Sequence, residues 1–328
     1  GYLKIEGFVT EFGMQSTPVP ATVRAFTDPA DRQDILSPAM RYHELDGSGR
    51  GLEIIMRYTE ANFGRAPATF DDKLWLTNLN QAWMIGYAVE HWRRDMPRSM
   101  AAVIWQFNDC WPCSSWSMVD YFRRAKPLLY KSKHFFAPVL VSGLPDAQSG
   151  QADIWVTSDS QNQVTGELRW NVTTVDGEEL REGKKEIDIP ARTSWCAERL
   201  DLSDLVQARG ANNLLIWPEV LVNGRTVARN TLIFGRPREL KLTKPDLRVS
   251  VSGGENRYSV ILETDVPALW VWLDVPDSEA SFSDNFVDLR RDKGAEIEIV
   301  LDAPVTPFDF RRELLVRSVY DVAPEMRR

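Results

Sequence analysis

Residues 100–121 read Met-Ala-Ala-Val-Ile-Trp-Gln-Phe-Asn-Asp-Cys-Trp-Pro-Cys-Ser-Ser-Trp-Ser-Met-Val-Asp-Tyr, a nearly continuous apolar run that opens into a polar, tryptophan-rich stretch. From Met100 to Phe107 the run lacks the alternation of a half-exposed strand, which predicts a strand of a parallel sheet buried on both faces. At its end and just past it lie Trp105, Trp111 and Trp116 together with Asn108, Asp109 and Asp120. An indole covers the apolar C–H face of a pyranose while amides and carboxylates bind its hydroxyls, so this composition suits a sugar site. Packing between domains is an equally good use for Trp111 and Trp116, and a weaker one for Trp105.

Upstream, Gly7-Phe8-Val9-Thr10-Glu11-Phe12-Gly13 is a short β-prone run closed by a glycine. Met14 to about Gly49 carries several prolines and no helical period, which predicts a long loop of the kind that is commonly functional. Residues 52–63 and about 70–95 are predicted helices. In the second, Trp75, Leu79, Trp83 and Tyr87 recur every fourth residue, and Thr69 with Asp72 gives a capping-box-like start. Lys126 to about Phe136 reads as a further helix. Beyond Pro138 the pattern changes to short alternating strands separated by Gly, Asn, Asp and Pro, which predicts β-sandwiches. Asn223-Gly224 signals a hairpin, because that pair supplies the positive φ angles of a type I′ turn. The polar segment Arg236 to Asp246 marks an internal boundary. The expected domains are therefore 1–136, 137–240 and 241–328.

A net charge of -8 argues against binding to phosphate backbones, and no apolar run reaches bilayer-spanning length, so neither nucleic acid nor membrane is an expected partner. The three cysteines are too few for a disulfide framework and do not fix the compartment, so localisation stays open. Cys110-Trp111-Pro112-Cys113 has the spacing of a thiol–disulfide oxidoreductase but lacks a thioredoxin-sized βαβ context. His43, His91 and His134 are scattered without metal-ligand spacing, so neither metal nor cofactor is expected; His43, in the long segment, can reach a site rim. A non-catalytic carbohydrate-binding or structural module is a second functional class compatible with the composition.

Two motifs in this order, TEFGMQSTPV at residues 10–19 and WQFNDCWPCSSWSMVDY at residues 105–121, resemble the strand-seven and strand-eight signatures of glycoside hydrolase family 2 β-mannosidases. The exit His134-Phe135-Phe136-Ala137-Pro138-Val139-Leu140-Val141-Ser142 and the run Phe282 to Leu289 are similar to later parts of that family. The resemblance implies a multidomain chain, α/β followed by all-β: the C-terminal part of a (β/α)8 TIM barrel, then two immunoglobulin-like β-sandwiches. It implies a retaining exo-mechanism on terminal β-D-mannosyl residues, with Glu11 as nucleophile and Trp105, Asn108, Asp109 and Trp111 near the substrate. In the family the acid/base is the glutamate of an Asn-Glu pair about a hundred residues earlier, and no such pair occurs before Gly143. The implied partners are a β-mannoside oligosaccharide or glycoconjugate and an N-terminal part of the same enzyme.

Overall fold

The computed structural model describes residues 7–328. Its first part pairs strand β1 (Phe8–Phe12) with β2 (Ala101–Ile104) in parallel, Phe8 opposite Ala101 and Phe12 opposite Ile104. Parallel pairing requires a long crossover, and the helices α1 (Pro20–Phe26), α2 (Pro38–Tyr42), α3 (Gly51–Phe63) and α4 (Phe70–Arg94) provide it. Helix α5 (Pro127–Phe135) follows β2. Thr69 caps α4 by accepting a hydrogen bond from the Asp72 amide at 3.2 Å. The long segment after Gly13 is partly helical: Pro20 and Pro38 each occupy the first turn of a short helix, where a missing N–H costs nothing.

Strand β2 departs from the expected two-sided burial. Val9 is buried against Ala88 and Trp92 of α4, whereas Phe8, Val103, Trp105 and Phe107 are exposed. In a strand, successive side chains point to opposite faces, so one face of the pair packs on the helices and the other stands open. Among the described residues nothing covers that open face.

The remaining strands close on themselves. Strands β3 (Val139–Pro145), β4 (Gln151–Ser158) and β7 (Thr193–Asp201) form one antiparallel sheet. Strands β5 (Val164–Thr174), β6 (Glu179–Ile189), β8 (Leu214–Val222), β9 (Arg225–Arg229) and β10 (Leu232–Ile233) form its partner, with helix α6 (Ser203–Arg209) between β7 and β8. Their inner faces meet in a core that includes Ile154, Val156, Leu168, Val172, Ile216 and Val220. The β8–β9 hairpin turns through Asn223 and Gly224 at φ 51° and 74°, the geometry the pair predicts.

A second sandwich packs β11 (Leu247–Gly254), β12 (Arg257–Thr264), β16 (Ala295–Leu301) and β14 (Ala280–Phe282) against β15 (Val287–Leu289), β13 (Ala268–Asp274) and β17 (Leu315–Arg317). Helices α7 (Pro307–Glu313) and α8 (Val319–Val322) flank β17. Phe63, Trp75 and Leu79 from the helices, Trp217 and Leu240, and Trp272, Phe286 and Val319 form a further core where the helices meet both sandwiches. No described helix is long and apolar enough to cross a membrane.

Candidate active site

The ends of β1 and β2 lie side by side. The Trp105 amide donates to the Phe12 carbonyl at 2.8 Å, which places Glu11 and Trp105 on neighbouring strand ends. Trp105 is 48% exposed on the open face of the pair, and Glu11 is exposed as well. Among the described residues Glu11 has no hydrogen-bond or ion-pair partner, so its carboxylate is not consumed by the fold. Gly13 makes the close approach possible: a Cβ there would collide with the Trp105 carbonyl oxygen and the Trp116 indole.

The two loops leaving the strands are locked together. Ser16 and Ser115 exchange backbone hydrogen bonds at 2.9 and 3.1 Å, and Ser114 bonds to both His43 and Leu45 through the backbone. Gln81, buried in α4, holds the layer from beneath. Its amide nitrogen donates to the carbonyls of Met14 at 2.8 Å and of Trp116 and Ser117 at 3.1 Å, while its oxygen accepts from the Ser16 hydroxyl at 2.9 Å. Nothing in the local pattern marked Gln81 beyond an amide among apolar helix positions, and its role depends on segments 35 to 67 residues away.

Asp109 is buried, and its two oxygens accept from the Gln106 amide at 3.1 Å and the Ser117 hydroxyl at 2.7 Å. Asn108 is exposed beside it and donates to the Asp109 carbonyl at 3.3 Å. Trp111 stands in a different group: it stacks on His43 at 4.9 Å, and the other face of His43 meets Phe26 at 4.0 Å. His43 Nδ1 lies 2.6 Å from the Pro112 carbonyl, so the histidine serves the loop–loop contact. The structure therefore puts Glu11 and Trp105 on adjacent strand ends, holds Asp109 between Gln106 and Ser117 just past Trp105, and places Trp111 in the aromatic stack at the loop contact.

Behind this layer Lys126 is fully buried, and desolvation pulls its ammonium down to about 8 although Asp109, Asp120 and Cys113 oppose the shift. Asp120 is buried too, accepts from Thr22 and from the Phe122 and Arg124 amides, and has its pKa raised by burial. Cys110 and Cys113 are both free thiols. Burial pushes Cys113 up to about 12, away from the activated thiolate a redox pair needs.

Taken together, a parallel strand pair backed by helices, with an exposed carboxylate and a tryptophan at its ends and two sandwiches behind it, makes a multidomain chain that is α/β first and all-β after. Residues 150–239 match the family described as a mannosidase Ig/CBM-like domain, and residues 242–322 match the Ig-fold domain of mannosidases. The crystal structure of β-D-mannosidase from Dictyoglomus thermophilum superposes with a TM-score of 0.85 at 28% identity, covering 97% of this chain and 38% of that one. β-Mannosidase B of Aspergillus fumigatus is 30% identical over 278 residues, 79% of this chain and 32% of that protein. That of Thermothelomyces thermophilus is 27% identical over 319 residues, 86% of this chain and 36% of its own. An exo-chitosanase from Amycolatopsis orientalis shares the fold at 15% identity, TM-score 0.70, with 95% of this chain and 41% of that one covered. The chain is a relative of the C-terminal portion of glycoside hydrolase family 2 β-mannosidases, and it spans about a third of the length of the curated relatives it matches.

Proposed function

We propose that this chain is the C-terminal portion of a retaining exo-β-mannosidase, in which Glu11 attacks the anomeric carbon of a terminal β-D-mannosyl residue. The observation that carries the reading is the unpartnered Glu11 carboxylate beside the half-exposed Trp105, at the C-terminal ends of two parallel strands. Barrel enzymes assemble their chemistry at that end of the strands. In this reading β1 and β2 are the seventh and eighth strands of a (β/α)8 barrel, and their open face is its interior. The division into 1–136, 137–240 and 241–328 follows from it.

Trp105 provides the floor under the mannose ring, Asn108 a hydroxyl partner, and Trp111 a wall further out on the rim. Asp109 belongs to the site through the Gln106 amide it holds. A carboxylic acid from outside this chain protonates the leaving oxygen, and the two carboxyl groups of a retaining pair stand about 5–5.5 Å apart. The 328 residues alone are accordingly inactive, since general acid catalysis contributes about 10²–10⁴-fold and positioning more. Glu11→Gln in the full-length protein tests the reading. Turnover of an aryl β-mannoside should fall by several orders of magnitude with the fold intact, and near-normal turnover would reject the assignment.

A further inference from the structure

On the opposite side of α4 from the strand ends, the helices and the two sandwiches enclose a cavity of about 840 Å³, within the range of small-molecule sites. Its position is independent of Glu11. Ile85 and Val89 on one face of α4 pack with Met14 and Met118 under the strand-end loops, with Ala82 at the border of the two faces. Trp83, Tyr87 and Glu90, on the other face, line the cavity.

The wall contributed by the helices is aromatic. Trp83 and Tyr87 stack at 5.8 Å with planes 27° apart, and Tyr87 and Tyr58 remain 45% and 39% exposed. Trp270 also lines the cavity, with its backbone in the left-handed region, φ 48°, inside a bulge that shifts the β13–β15 pairing between Ala268 and Val271. A bulky residue rarely adopts that conformation, and bulges re-aim side chains at functional places.

Most charges of the lining are already matched, Arg236 and Glu239 being the ones without an ion pair among the described residues. Lys293 pairs with Glu219, Lys131 lies 3.9 Å from Asp288, and Arg229 is 3.9 Å from Asp284. A charged ligand that engaged any of these three pairs would displace a partner; a neutral one need not. Polar capacity nevertheless remains, because Arg290 lines the cavity and its buried Nη1 has no hydrogen-bond partner among the described residues. A buried donor without an acceptor is costly, and a ligand oxygen would satisfy it.

We infer that this cavity is a second carbohydrate site that binds a neutral oligosaccharide, with the Trp83–Tyr87 face against the C–H side of a sugar ring and Arg290 at a hydroxyl. The test is titration of the full-length protein with S-linked β-1,4-mannotriose, which is not hydrolysed whatever Glu11 does, followed by ligand-observed NMR and calorimetry. The double variant Tyr58→Ala/Tyr87→Ala changes two exposed side chains, so the fold should be kept, as thermal melting will show. One class of binding should weaken about tenfold or be lost in the variant, while kcat and KM for an aryl β-mannoside stay as in the wild type. Trigalacturonate, an anionic trisaccharide, should not bind at this cavity. Binding of the S-linked sugar that is unchanged in the double variant, absence of any binding outside the strand-end site, or preference for the anionic probe would each overturn the inference.

Discussion

Strands β2 and β8 carry similar apolar runs, Ala101-Ala102-Val103-Ile104 and Leu214-Leu215-Ile216-Trp217, and end in opposite circumstances. Strand β8 pairs with β5 on one edge and with β9 and β10 on the other, and Leu214 to Trp217 are all buried. Strand β2 has β1 as its described neighbour, and Val103 is 48% exposed. An apolar run records a demand for cover on both faces; whether the cover is present depends on partners elsewhere. For β8, Leu214 and Ile216 are covered within the first sandwich and Leu215 and Trp217 by the helices and the second sandwich; for β2 the helices supply one face only.

The largest effect that could break this contrast is in hydrogen exchange of the 328-residue chain. Amides of Val9 to Phe12 should exchange several orders of magnitude faster than those of Ile154, Val156, Leu168 and Ile216, because local opening costs little where a sheet has two strands. Equal protection would mean that the open face is covered in solution, by a second copy of the chain or by rearrangement.

Within the strand-end layer, Asp109 and Trp105 should separate structure from binding. Asp109→Ala removes the acceptor of Gln106 and of the buried Ser117 hydroxyl and leaves the buried Lys126 with one neighbouring carboxylate fewer, a loss of about 1–3 kcal/mol in unfolding free energy. Trp105→Ala, at a half-exposed position, should leave stability nearly unchanged and weaken mannoside binding in the full-length protein by about 1–3 kcal/mol. Denaturant melts and inhibition constants measured on both variants check the pair. Destabilisation by Trp105→Ala with unaltered binding would make the indole a packing residue.

An effect of similar or smaller size is expected at Asp274, in β13, whose carboxyl burial lifts to about 6. A folded pKa above the unfolded value near 3.8 means that the native state holds the proton more tightly between these values. This stabilising contribution is full below about pH 4 and is lost as pH rises through 6. Asp274→Asn should therefore raise stability at pH 7 by up to about 2–3 kcal/mol and by little at pH 4. A gain independent of pH in thermal melts would show that the carboxylate is well solvated.

What the sequence made legible follows the range of the interactions involved. The α4 period, the Thr69 cap and the Asn223-Gly224 turn are decided within a few residues, and each lies where the local pattern placed it. The short helices α1 and α2 leave no periodic signal, because each spans too few turns to show a period and a proline opens each one. The Gln81 clamp and the core joining Trp75, Trp217 and Trp272 depend on segments far apart in the chain, so no local signal could announce them. Trp75, Leu79, Trp83 and Tyr87 share the predicted spacing, yet the first two are buried in that core and the last two line a cavity. Periodicity identifies the face of a helix and leaves open what lies against it.

The central claim is that the carboxylate of Glu11 forms a covalent bond with the sugar, and intact-protein and peptide mass spectrometry after treatment with a 2-deoxy-2-fluoro-β-mannosyl fluoride tests it most directly. The fluorine at C2 slows breakdown of the glycosyl-enzyme more than the good leaving group slows its formation, so the adduct accumulates. In the full-length protein one equivalent of label should appear on the peptide that contains Glu11 and be absent from Glu11→Gln. Label on another carboxylate, or a catalytically active protein that never acquires one, would contradict the account.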